Sequence, residues 1–139
     1  MVLVCVTLAD QKPCSDSENK RVEEEAVTLR SWDTIYRSYR RYARCNDVDA
    51  AEGYSESVAR TLVDHWRTLP RLAVLASTDH AFRRFVLAGV NATLDMKDVE
   101  KIRSNAQSKC PTGAQSLCAD LIKNATGALQ EDASTKRQK

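Results

Sequence analysis

Reactive chemistry in this chain would have to come from its thiols, its imidazoles or its clustered guanidinium groups, and their placement narrows what each can do. Five cysteines are present: Cys5 within the apolar opening Met1-Val2-Leu3-Val4-Cys5-Val6-Thr7-Leu8-Ala9, then Cys14, Cys45, Cys110 and Cys118. Beyond the opening the number is even, and an even number after a short apolar leader points to an oxidising compartment and two disulfides. Cys110 and Cys118 bracket residues 111–117, so a bridge between them staples an incoming loop to a helix and stabilises by roughly 2–3 kcal/mol. Cys14 and Cys45 flank what the periodicity reads as one helix, about 40 Å long if straight. A short tether at Cys14 cannot span that distance, and the partners of Cys14 and Cys45 stay open. The close C-x₂₋₄-C pairs of zinc sites are absent, so no metal is expected. Cys45 has Arg44 beside it, the one mildly electropositive setting for a thiolate, but no base to go with it.

The two histidines offer little more. His65 falls on the apolar side of a helix beside Trp66, where a core position is the ordinary reading. His80 follows Asp79 at a helix start and faces solvent, and neither has the i, i+4 partner of a metal-binding helix. Glu52 and Glu56 share a helix face, as solvated carboxylates commonly do. There is no G-x-S-x-G, no phosphate-cradling glycine loop and no dinucleotide fingerprint. No catalytic residue and no cofactor is assigned.

The run Tyr36-Arg37-Ser38-Tyr39-Arg40-Arg41-Tyr42-Ala43-Arg44 is basic and interleaved with aromatics, the pattern of a nucleic-acid face. Five arginines between positions 30 and 44 stand against the single Asp33. Helical register places Tyr36 and Tyr39 on the buried stripe, leaving the arginines on a solvated face that could also meet an acidic protein patch.

The elements that must position these groups are helices. Val22, Ala26, Leu29, Trp32, Tyr36, Tyr39 and Ala43 recur at steps of three and four, with Ile35 and Tyr42 widening the stripe, which predicts a helix from about residue 18 to 43. Turn and N-cap residues at 46–49 open a second helix to about Thr68, with Ala51, Tyr54, Val58, Leu62 and His65 on one side. Its Gly53 lowers helix propensity while allowing another helix to come close. Pro70 opens a short third helix. Thr78 or Asp79 caps a fourth, burying Phe82, Phe85, Val86, Gly89 and Val90. Asp95 starts a fifth with Val99, Ile102 and Ala106 inward. Thr112-Gly113-Ala114-Gln115 fits a capping box opening a sixth, which buries Leu117, Cys118, Leu121, Ile122 and Ala125.

The expected fold class is all-α, a single domain of about five or six helices, stapled by disulfides. Four glycines and three prolines in 139 residues leave few turns, and a net charge of +2 is too small to imply a polyanionic partner by itself. Residues 1–9 are read as the remnant of a signal peptide or as a free N-terminus. Residues 10–19 form a polar tether, 20–129 the helical domain and 130–139 a polar tail. The opening is too short to span a bilayer, so no membrane insertion is expected. Thr7-Leu8-Ala9 before Asp10 has the small-x-small form of a cleavage site. A signal start upstream would make the protein periplasmic; otherwise it is cytoplasmic. Bulky Val4 before Cys5 argues against a lipid anchor there.

Several segments carry a family likeness: Tyr42-Ala43-Arg44-Cys45-Asn46-Asp47, Ala51-Glu52-Gly53-Tyr54-Ser55-Glu56-Ser57-Val58-Ala59-Arg60, Phe82-Arg83-Arg84-Phe85-Val86-Leu87, and Cys110-Pro111 with Leu117-Cys118. Together they resemble the Tai/Rap-type immunity proteins of bacterial type VI secretion systems over about residues 30–123. The resemblance implies a small helical periplasmic protein, often a homodimer, that binds and blocks a peptidoglycan amidase toxin. An inhibitor needs no active site, only a rigid scaffold presenting a complementary surface. Helix ends and interhelical loops are natural plugs for an enzyme cleft, here Asn46, Asp47 and Asp49, or Asp79, His80, Arg83 and Arg84. The alternative is a cytosolic nucleic-acid-binding or adaptor module using the basic face at residues 37–44.

Overall fold

The break between the first two helices decides the architecture. The computed structural model describes residues 13–45 and 48–138. Where the apolar spacing predicts one helix over 18–43, the chain forms α1 (Asp16–Ala26) and α2 (Trp32–Tyr42). Two β-branched or turn-prone neighbours, Val27 and Thr28, lower helix propensity at the join. Ser31 then supplies a new start: its Oγ accepts from Thr34 N at 3.2 Å while Ser31 N donates to Thr34 Oγ1 at 3.3 Å, a reciprocal cap. The steps of three and four run straight through this corner, which is why periodicity alone misses it.

Groups released by the break find partners. Leu29 N donates to Ser57 Oγ at 3.1 Å, and the Ser57 hydroxyl donates to Ala26 O. The Arg30 guanidinium donates to Val27 O at 3.0 Å and Leu29 O at 2.7 Å. Ser57 is fully buried, so α3 acts as the internal template on which the corner is built.

Five further α-helices follow: α3 (Val48–Asp64), α4 (Leu69–Thr78), α5 (His80–Gly89), α6 (Met96–Ser108) and α7 (Gln115–Arg137). A 3-10 turn, Trp66–Thr68, leads into α4. The result is all-α, with no strand among the described residues and seven α-helices rather than five or six. Pro70 sits in the first turn of α4, Asp79 caps α5 and Asp95 caps α6, each as its sequence position predicts. The expected cap at the start of α7 does not form. Gly113 takes a positive φ of 87°, Ala114 occupies the cap position, and no side chain caps the helix. A left-handed glycine cannot be the second residue of a helix opened by Thr112, so the turn ends there instead. The segment read as a polar tail is helical through Arg137, with Lys136 paired to Asp132 at 3.0 Å. The start of α1 likewise takes up part of the segment read as a tether.

The main core joins α2 to α7, with Trp32, Ile35, Leu62, Leu72, Phe82, Ile102 and Leu121 fully or almost fully buried. A smaller cluster of Val22, Ala26, Tyr42, Cys45, Ala50 and Tyr54 lies under α1. Gly53 lets α1 approach: a Cβ there would sit 3.1 Å from Ala26 Cβ and 3.2 Å from Val27 N.

Both disulfides close within these elements. Cys110 and Cys118 are bridged with Cα atoms 6.2 Å apart. Cys14 and Cys45 are also bridged, at 5.1 Å. The reach argument against this second pair fails because it assumes a straight helix. The corner at residues 27–31 folds α2 back along α1 and brings the two ends together. Cys5 lies outside the described residues.

Candidate partner-binding surface

Aromatic side chains from α2, α3 and α5 form a continuous chain across one face. Tyr36 meets Phe82 edge-on with centroids 4.7 Å apart, Tyr39 lies 4.7 Å from Phe85, and Tyr54 meets Phe85 edge-on at 5.1 Å. Tyr36 and Tyr39, expected inside, are only half-buried, because α5 covers one edge of each ring and leaves the rest at the surface. Tyr54 is fixed beneath them. Ser38 Oγ donates to Glu25 Oε2 at 2.7 Å, so its 2.6 Å contact with Tyr54 is donated by the phenol. Burial raises the Tyr54 pKa above the ordinary phenol value.

Small residues beside these rings leave two adjoining hollows of about 140 Å³ each. One is bounded by Tyr39, Tyr42, Cys45 and Ala51; the other by Ala51, Val58, Ala88 and Gly89; Tyr54 and Phe85 floor both. A Cβ at Gly89 would sit 3.5 Å from Val58 Cγ2, so a larger residue there would begin to fill the second hollow. Cys45, bridged to Cys14, borders the first hollow, and at the start of α3 Val48 is 73% exposed and Asp49 exposed beside it. Ala43 and Ala51, expected to point inward, are exposed on this rim. Ala43 follows the last residue of α2, and on α3 the inward side is taken by Ala50 and Tyr54 instead.

The predicted partner-binding residues separate into scaffold and surface. Asn46 and Asp47 lie outside the described residues. Asp79 is a scaffold group: Oδ1 accepts from Phe82 N at 3.0 Å, Oδ2 accepts from Tyr36 OH at 3.0 Å, and Arg40 lies 3.8 Å away. The Phe82 amide, the Tyr36 hydroxyl and the Arg40 charge hold its carboxyl below the usual carboxylate range. Arg83 is tied to Asp120 on α7 at 2.5 Å. Asp49, His80 and Arg84 remain at the surface. His65, expected in the core, is exposed, because α3 ends at Asp64 and the chain turns before the imidazole can pack.

The basic run is partly spent on the fold. Arg40 faces Asp79, Arg44 pairs with Glu18 and Arg41 lies 5.7 Å over the Tyr42 ring. Those contacts remove two of its charges from the free surface, which weakens the face as a polyanion track. Among the described residues no group of three or more His, Cys, Asp or Glu side chains could hold a metal ion, and no helix is long and apolar enough to cross a membrane.

The hollows themselves escape sequence reading. Their signal is the pairing of Ala51, Ala88 and Gly89 with Tyr39, Tyr54 and Phe85 on facing helices, and that pairing exists only once α3 and α5 are known to pack. No family model, curated protein or solved structure matches this chain.

Proposed function

We propose that the protein is a disulfide-braced, inhibitor-type binding protein of an oxidising compartment that docks on a peptidoglycan amidase toxin of a type VI secretion system and blocks it. The observation that supports this best is the aromatic-floored groove running out from the Cys45 turn. Hollows beside a fixed corner are the setting in which one or two apolar side chains of a partner become binding hot spots. Exposed charges on the same helices, Arg41 on α2, Asp49 on α3 and Arg84 on α5, would set orientation rather than bulk affinity. The two disulfides suit the periplasm, where such a toxin acts, and the resemblance of residues 30–123 to the immunity family supplies the partner class.

The test uses the full oxidised chain and any peptidoglycan amidase encoded beside its gene, and the lack of such a toxin gene would count against the reading. A stoichiometric complex that stops cleavage of peptidoglycan peptides is expected. Ala51→Trp, which fills the groove from an exposed position, should weaken inhibition at least tenfold with the melting temperature unchanged. Failure of the wild type to bind or inhibit that amidase, or full inhibition by both Ala51→Trp and Ala88→Arg, would overturn the reading.

A further inference from the structure

A second cleft, of about 560 Å³, lies where the 3-10 turn crosses α6 and shares no residue with the aromatic groove. Its volume falls within the usual range for small-ligand sites, roughly 300–1,000 Å³. Arg67, Lys101 and Lys109 line it, against one carboxylate, Asp64. Asp64 is engaged by Arg60 at 3.6 Å, and no described acid pairs with the three cations. Three like charges gathered without counterions raise the local potential for an anion.

Two uncharged groups give the cleft shape. Trp66 is half-buried, packs on the main core and is pinned by its Nε1 donating to Lys109 O at 2.8 Å. The indole therefore forms a fixed wall on which a ring can stack. Asn105 is only 2% exposed yet lines the cleft, and its side-chain amide makes no hydrogen bond to any described residue. A carboxamide that deep is normally paired, so its donor and acceptor are left for something inside the cleft.

We infer that this cleft binds a small ring-bearing anion, with the ring stacked on Trp66, the phosphate or carboxylate held by Arg67, Lys101 and Lys109, and a polar ring substituent bonded to Asn105. The site is independent of the toxin-binding reading, and either can fail without the other.

Trp32 is 2% exposed, so quenching of the tryptophan emission by a stacked ring reports mainly Trp66. The oxidised full chain is titrated with adenosine 5′-monophosphate and with N-acetylmuramic acid, which separate a nucleotide source from a cell-wall sugar source. Inorganic phosphate and adenosine serve as half-ligands at matched ionic strength, with calorimetry alongside. Saturable binding by one of the two whole ligands is expected, at least tenfold tighter than inorganic phosphate and, where the nucleotide binds, than adenosine. Lys101→Glu with Lys109→Glu, both exposed, should reduce it at least tenfold while the melting temperature holds. Asn105→Asp should weaken it as well, by placing a second negative charge in the cleft. Absence of saturable binding by both ligands, inorganic phosphate binding as tightly as the better ligand, or affinity surviving the double lysine exchange would overturn the inference.

Discussion

Two regions of this protein are each closed by a disulfide, and the bridges do different work. Cys110–Cys118 spans 8 residues and lies against the main core, where Ala114, Leu117 and Cys118 are themselves buried. Cys14–Cys45 spans 31 residues and encloses α1 and α2, beside a small cluster of six buried residues to which α3 adds Ala50 and Tyr54. The first bridge confirms a turn that packing already favours. The second replaces packing that α1 lacks, since only Val22 and Ala26 of that helix are buried. A short helix with so little apolar contact is marginal by itself, so the covalent tie and the Ser57 hydrogen bonds are what hold it on α3.

The largest test of this contrast is removal of each bridge. By loop entropy, Cys14→Ser with Cys45→Ser should cost about 3.7 kcal/mol and Cys110→Ser with Cys118→Ser about 2.6 kcal/mol. Chemical denaturation measures both. Amide exchange should show the first pair losing protection in α1 selectively, and the second pair leaving α1 protected. Equal loss of protection across the molecule in both would break the distinction.

Ser57→Ala is expected next in size. It leaves Leu29 N without its acceptor and Ala26 O without its donor in a buried site, a loss of about 1–3 kcal/mol by denaturant unfolding. Gly53→Ala should destabilise less, by about 1 kcal/mol. Crowding against Ala26 and Val27 N costs about 1–3 kcal/mol, and the gain in helix propensity offsets roughly 0.5–1 kcal/mol of it. A stabilised Gly53→Ala would mean that α1 is not seated as described.

The smallest effect is a pH dependence away from α1. The Asp79 carboxyl is held down by the Phe82 amide, with the Tyr36 hydroxyl and Arg40 adding to it. Its stabilising contribution is therefore full above the unfolded carboxylate value of about pH 4 and is lost as pH falls through its lower folded value. Thermal melts of Asp79→Asn and wild type should differ above about pH 4 and converge in stronger acid. A difference that widens as pH falls would contradict the assignment.

Helix type, the caps of α5 and α6 and the inward faces of those two helices were legible because each follows from local pattern. Phe82, Val86, Val99 and Ile102 recur at helical spacing, and Asp79 and Asp95 precede them as caps. The corner at 27–31 was not, because Leu29 and Trp32 keep the apolar period across it while the bonds that stabilise it come from Ser57 on α3. Missing that corner also removed the Cys14–Cys45 bridge, whose geometry depends on the reversal. The candidate site was legible only at its edge, at Asp49 in the first turn of α3, since the groove is made by three helices that are distant in sequence.

If the groove beside Cys45 is the docking surface, the Cys14–Cys45 bridge matters for binding while Cys110–Cys118 matters for stability alone. On the function proposed above, inhibition constants against a peptidoglycan amidase that the wild type blocks, measured well below each variant's melting temperature, separate the two bridges. At least a tenfold loss of inhibition is expected for Cys14→Ser with Cys45→Ser and less than a twofold change for Cys110→Ser with Cys118→Ser. Equal inhibition by both variants, or a greater loss from the second, would contradict that division of roles.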